Sequence, residues 1–235
     1  MTRIWAAPYA RAVVIDPSPA RSGRVAATIR EARLIVVLRR VAPRRRLLEL
    51  VDELADDGAR VFEITLDGDG ATADLAAVLE HLGTRAGEDH VVGAGTIRSR
   101  TQVTEAIDVG AAFGVAPVLD LAVLAAALDA GLPFVPGAYT PTEADAAWRA
   151  GATFVKLFPG SSLGPSLVRE LRGPLPEIET IVTGGVDATS AVAFLEAGAV
   201  AVGIGSALVH APAAERRALL ATIRSVERPG SAARR

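Results

Sequence analysis

The chain has 235 residues, half of them hydrophobic and only 4% aromatic, with 25 basic against 27 acidic side chains, a net charge of −2 and a pI near 6.0. So even a balance leaves no electrostatic footprint for nucleic acid. The lack of cysteine excludes disulfides, thiolate nucleophiles and Cys-ligated metals. No 18-residue apolar run is free of charge, so no membrane partner is expected and the cytoplasm is the default location.

Residues 1–24 are rich in Ala, Arg and Pro without a sustained period, and Asp16-Pro17-Ser18-Pro19 predicts an extended linker, so this stretch is expected to be a flexible leader. One domain is expected over 25–227, and a loose tail over 228–235. Within the domain the pattern alternates. Strand 34–39 precedes a helix over 43–57 ended by Gly58, strand 60–66 a helix over 72–82, and strand 90–94 a helix capped by Ser99 and ended by Gly110. Strand 112–116 and helix 120–130 follow, then strand 132–135 and a helix opened by Thr140-Pro141-Thr142-Glu143, a compact helix-start signal. Strand 153–157 with helix 164–171, strand 179–182 with helix 187–197, and strand 200–204 with helix 213–226 complete the series. Eight strands, each followed by a helix, at a spacing near 23 residues predict an α/β fold of the (β/α)8 TIM-barrel type. The competitor, an open doubly wound sheet, lacks a G-x-G-x-x-G turn at the first βα junction.

Lys156 is the only lysine; the other 24 basic residues are arginine. A lysine kept in so arginine-rich a chain points to a task that a guanidinium cannot perform. Schiff-base formation is such a task, because it needs a neutral amine and arginine never deprotonates. The apolar run Phe154 to Phe158 around it suits a lowered amine pKa. The plain alternative is a lysine whose stem lies on apolar surface while its amine reaches water. Along the second strand Phe62, Ile64 and Leu66 form the apolar side, which leaves Glu63 pointing into the barrel toward the level of Lys156. The two are candidates for a proton-transfer pair, or for an ion pair that merely satisfies itself.

Gly93-Ala94-Gly95-Thr96 offers a close-approach turn with a backbone donor and a hydroxyl, suitable for a carboxylate. Thr183-Gly184-Gly185 and Gly203-Ile204-Gly205-Ser206 open helices after strands seven and eight, where barrels commonly hold phosphate. Plain turn chemistry would explain either glycine pair alone. His81, His90 and His210 are scattered and predict no histidine-built metal site.

Together with Phe62-Glu63-Ile64-Thr65, Val135-Pro136-Gly137, Val155-Lys156-Leu157-Phe158-Pro159 and Gly173-Pro174-Leu175-Pro176, these motifs resemble, in order and spacing, the 2-keto-3-deoxy-6-phosphogluconate / 4-hydroxy-2-oxoglutarate aldolase family. The likeness spans residues 34–209. It implies a class I, metal-independent lyase without a cofactor, a (phosphorylated) keto acid substrate of the Entner-Doudoroff type, and a homotrimer. It gives the Schiff-base role to Lys156 and the proton shuttle to Glu63. Gly95 and Thr96 would take the substrate carboxylate, Phe158 and Pro117 would pack around the imine, and Thr183, Gly184, Gly185, Gly205 and Ser206 would hold the far hydroxyl and phosphate. Two positions depart from the family pattern: Asp67, a carboxylate that would repel an anionic substrate unless turned away or paired, and Val118, where glycine is common. The competing functions are an aldolase-like barrel with an altered substrate, 4-hydroxy-2-oxoglutarate or an unphosphorylated keto acid, a non-catalytic phosphate-binding barrel and a phosphate-handling isomerase, and the last two predict no adduct at Lys156.

Overall fold

The computed structural model describes residues 23–85 and 89–227, so the expected leader, apart from its last two residues, and the expected tail lie outside the described residues. Helix α1 (Arg24–Ala32) comes first. The units that follow are β1 (Leu34–Leu38) with α2 (Arg44–Asp56), β2 (Val61–Thr65) with α3 (Ala71–Gly83), β3 (Val91–Gly95) with α4 (Arg100–Asp108), and β4 (Gly114–Val115) with α5 (Leu121–Asp129). Then come β5 (Phe134–Val135), β6 (Gly137–Ala138) and α6 (Pro141–Arg149), β7 (Val155–Leu157) and α7 (Gly160–Arg172), β8 (Thr180–Thr183) and α8 (Ala188–Ala197), and β9 (Ala201–Ile204) with α9 (Ser206–Val209) and α10 (Ala213–Ser225).

All strand pairs are parallel, in the order β5-β4-β3-β2-β1-β9-β8-β7-β6. The two ends of that order belong to one run. β5 and β6 flank Pro136, which has no N–H to give to a ladder. β5 pairs with β4 and β6 with β7, so residues 134–138 join the ends and the nine segments act as eight strands. The fold is a (β/α)8-type barrel. The fifth strand is longer than the expected 132–135 and is divided by the proline.

Capping fixes several helix starts. Ser99 Oγ accepts from the Gln102 N–H at 3.2 Å, and Asp120 Oδ1 accepts from Ala122 N–H at 2.8 Å and Val123 N–H at 3.1 Å. Thr140 and Glu143 close a reciprocal capping box, as do Asp187 and Ser190. Helix α7 begins four residues before the expected 164 and is broken at Gly164 (φ 70°, ψ 160°), followed by Pro165.

Strand alternation divides the core in two. Outward residues such as Val36, Phe62, Ile64, Val92, Val182 and Val202 pack under the helices. Inward residues Ile35, Val61, Val91, Phe113, Val115, Val135, Phe154, Ile181 and Ala201 form a second cluster with Ala26 and Ile29. Helix α1 therefore plugs the N-terminal end of the barrel, a role the sequence reading left unassigned. Two residues further along the strands the inward positions are Val37, Glu63, Gly93, Gly137, Lys156, Thr183 and Gly203. Bulky apolar side chains fill one end of the barrel, and small or polar ones open the other.

Candidate active site

A cavity of about 760 Å³ lies at the C-terminal end of the strands, large enough for a small metabolite. Glu63, Lys156, Phe158, Thr183, Gly184, Gly185, Gly205 and Ser206 all line it. Gly95, Thr96 and Pro117 are not part of its lining; each reaches it through a neighbour. Gly95 backs Glu63, Thr96 hydrogen-bonds Arg39, and Pro117 abuts Gly137, the register partner of Lys156. Arg39, Arg40, Arg46 and His210 also line the cavity and were not singled out from sequence. The signal for Arg39 and Arg40 was their place just past the C-terminal end of a strand, where barrels put functional groups.

Lys156 is centred in β7, its N–H donating to Pro136 O at 2.9 Å, and its side chain is only 5% exposed. Burial pulls the amine below the ordinary lysine range; Glu63 opposes the shift and the Arg39 cation adds to it. The Lys156 Nζ lies 4.9 Å from the centre of the Phe158 ring, within cation–π range. That ring fits because residue 184 is glycine. A Cβ there would stand 2.7 Å from the Phe158 ring, and the φ of +87° is one side chains rarely adopt.

Glu63 is fully enclosed. Burial pushes its carboxyl above the usual range, against the pull of Lys156 and Arg39, while Asp67 adds to the rise. Its Oε2 has no hydrogen-bond partner, and among the described residues no ion pair joins Glu63 to Lys156. The self-satisfying ion pair is therefore not what the site contains. Burial thus biases both groups toward their neutral forms. The Thr183 hydroxyl is likewise buried without a partner. Buried polar atoms left unpaired at a cavity wall are what a bound ligand would satisfy.

The two departures from the family pattern turn out differently from a blocked site. Asp67 is absent from the cavity lining and is paired: Arg39 Nη1 donates to its Oδ2 at 2.7 Å, and Arg40 Nη2 lies 3.3 Å from the same oxygen. Val118 is half-exposed, with its side chain outside the cavity lining. Among the described residues no group of three or more His, Asp or Glu is placed to hold a metal ion, and no helix is long and apolar enough to cross a membrane.

Residues 25–224 match the family model for KDPG and KHG aldolase. The chain belongs to the KDPG and KHG aldolase family. A probable 2-dehydro-3-deoxy-6-phosphogalactonate aldolase of Rhizobium meliloti is 35% identical over 76% of this chain and 82% of its own. A 2-dehydro-3-deoxy-phosphogluconate aldolase of Pseudomonas aeruginosa is 32% identical over 74% and 77%. Among solved structures, the 4-hydroxy-2-oxoglutarate/2-dehydro-3-deoxyphosphogluconate aldolase from TTHB1 superposes with a TM-score of 0.74 at 29% identity, covering 90% of this chain and 98% of that one. Membership in this aldolase family implies a lyase.

Proposed function

We propose that this family member is a class I, metal-independent aldolase that cleaves a 2-keto-3-deoxy-6-phospho sugar acid, such as 2-keto-3-deoxy-6-phosphogluconate, to pyruvate and glyceraldehyde 3-phosphate. The observation that carries the reading is the placement of the single lysine: buried in the lining of the cavity, with a lowered amine pKa, in the company of a buried carboxyl whose Oε2 has no hydrogen-bond partner. The relatives named for the phosphogluconate and phosphogalactonate substrates leave both sugar series within the proposal.

The Lys156 amine attacks the C2 ketone, and Glu63, biased toward its protonated form by burial, gives its proton to the departing hydroxyl so that water leaves and an iminium forms. The Glu63 carboxylate so generated takes the proton of the C4 hydroxyl. The C3–C4 bond breaks, its electron pair flows into the iminium, and the aldehyde departs. Glu63 returns the proton to C3 of the enamine, and hydrolysis releases pyruvate. The iminium serves as the electron sink that a divalent cation would otherwise supply. Thr183 offers its unpaired hydroxyl to the aldehyde half, while Gly184, Gly185, Gly205 and Ser206 present small, close-approach backbone to the phosphate end. A homotrimer in the cytoplasm is the working state in this proposal.

Incubation with pyruvate and borohydride, followed by intact-mass measurement, tests the reading. A single reduced pyruvyl adduct, lost in Lys156→Arg and unaffected by a chelator, is expected. Folded protein that forms none overturns it.

A further inference from the structure

A second cavity, of about 220 Å³, opens at the N-terminal end of the barrel, where β8 and β9 begin. Glu179, just before β8, and Gly198 to Val200, just before β9, form part of its wall. Arg33 and Arg172 line it as well, and Glu179 is the one carboxylate in the lining. That carboxylate is already engaged: Arg30 Nε donates to its Oε1 at 2.8 Å and Arg30 Nη2 to its Oε2 at 2.5 Å. Three arginines against one glutamate leave the site net positive.

Arg33 is the C-cap of α1 at φ 58°, a left-handed conformation that glycine takes more readily than a residue with a side chain. Its side chain is buried, and Nη1 donates to the Val226 carbonyl, which anchors the cation in the wall. Arg172 is the last residue of α7 and half-buried. It lies against Gly198, whose φ is +110° and where a Cβ would run into the guanidinium. A cation in the last turn of a helix is commonly held by the final carbonyls. Among the described residues, however, Arg172 donates to no carbonyl and pairs with no carboxylate. A guanidinium whose whole fork of donors is unengaged, next to a second one fixed by burial, suits the oxygens of a phosphate.

We propose that this cavity binds a phosphate group, free or carried by a small ester, between Arg33 and Arg172, at a site separate from the cavity that holds Lys156. Bound there, the anion ties the end of α1, the barrel plug, to the end of α7 and to the loop that opens β9. The N-terminal face of such a barrel serves stability more than chemistry, so the effect is a firmer barrel floor and does not depend on the aldolase reading.

Hydrogen–deuterium exchange read by mass spectrometry tests this, with inorganic phosphate and, in parallel, glycerol 3-phosphate, each against sodium chloride at equal ionic strength. At about ten times the half-saturating concentration, exchange that requires release of the anion should slow about tenfold in segments 173–180 and 198–202. Slowing in 183–186 and 203–207 reports the other cavity and is read separately. In Arg172→Gln the protection of 173–180 and 198–202 should vanish while that of the other cavity stays as in the wild type. Arg172→Lys, which keeps the charge without the fork, should need more phosphate for the same protection. A native circular-dichroism spectrum shows that each variant is folded. Whichever compound protects at the lower concentration names the source of the phosphate, and either result supports the proposal. Protection confined to the other cavity, or protection of 173–180 that Arg172→Gln leaves unchanged, would overturn it.

Discussion

Substituting Gly95 by alanine should move one side chain of the proposed mechanism, Glu63, and little else. A Cβ at position 95 would stand 2.0 Å from Glu63 Oε1, 2.6 Å from its Cγ and 2.7 Å from its Cδ, where ordinary contact begins at 3.4 Å. The carboxyl must retreat by about 1.4 Å, the difference between 3.4 and 2.0 Å. Glu63 is the part that can give, because its χ angles turn more easily than the paired strand carrying residue 95 shifts. A displacement of that size in a proton-transfer group costs on the order of 100-fold in turnover, or about 2.7 kcal/mol of barrier. Two assays separate this from general damage. Pyruvate release, measured as steady-state turnover with a phosphorylated keto-deoxy acid, should fall about 100-fold, while borohydride trapping at saturating pyruvate should still label Lys156 to completion. Turnover within about threefold of wild type would refute the idea that the missing Cβ of Gly95 seats the Glu63 carboxyl.

Glu63→Gln should stabilise the fold while removing activity. The folded pKa of Glu63 is raised, so between the unfolded value of about 4.3 and the folded one the native state holds the extra proton, and stability drains away as pH rises through that window. Glutamine does not titrate, so the melting temperature of the variant should gain on wild type as pH increases from about 4.3; a constant difference would count against a raised pKa. Lys156→Met removes the reverse case: the folded amine pKa is lowered, the unfolded chain binds the extra proton below about 10.4, and the variant should be the more stable at neutral pH by thermal melting, with the gap closing as pH approaches that value. Ile29→Ala, at a side chain 1% exposed in the barrel plug, should cost about 2–5 kcal/mol in chemical denaturation; a cost under 1 kcal/mol would mean that helix α1 is not integral to the core.

The fold was legible because each βα unit states its own boundaries: apolar strands of a few residues, glycines ending helices, and caps at Ser99 and Thr140 that the structure shows in use, joined by caps at Asp120 and Asp187, the first residues of the expected helices 120–130 and 187–197. Helix α1 was not, since its nine residues follow a stretch of mixed composition and bury only Ala26, Thr28 and Ile29, too few for a periodic signal. At the site, Lys156 and Glu63 could be found because one is unique in the chain and the other interrupts the inward face of an apolar strand. The Arg39–Asp67–Thr96 set could not. Its members lie 28 and 57 residues from Arg39, and only the parallel register, with Val37 opposite Glu63 and Glu63 opposite Gly93, sets the three strand ends side by side. From sequence Asp67 is a charge of the wrong sign; three-dimensional neighbours make it a counter-ion.

The resting arrangement of Lys156 and Glu63 makes sense as preparation for charges that the proposed reaction would create. An ion pair formed before substrate arrives would lock the amine as ammonium, useless as a nucleophile, and would spend the carboxylate's attraction on it. Instead, burial biases both toward their neutral forms, and among the described residues no hydrogen bond or ion pair joins them. In the proposed reaction, loss of water turns the nitrogen into an iminium cation and Glu63 into its carboxylate in the same step, inside a cavity where opposite charges attract far more strongly than in water. The Phe158 ring, 4.9 Å from Nζ, faces the nitrogen at the moment it becomes cationic. On that reading the desolvation that makes this pair costly in the empty protein is offset at the stage where bond cleavage follows, and a buried, unpaired lysine and glutamate contribute more to the proposed catalysis than to stability.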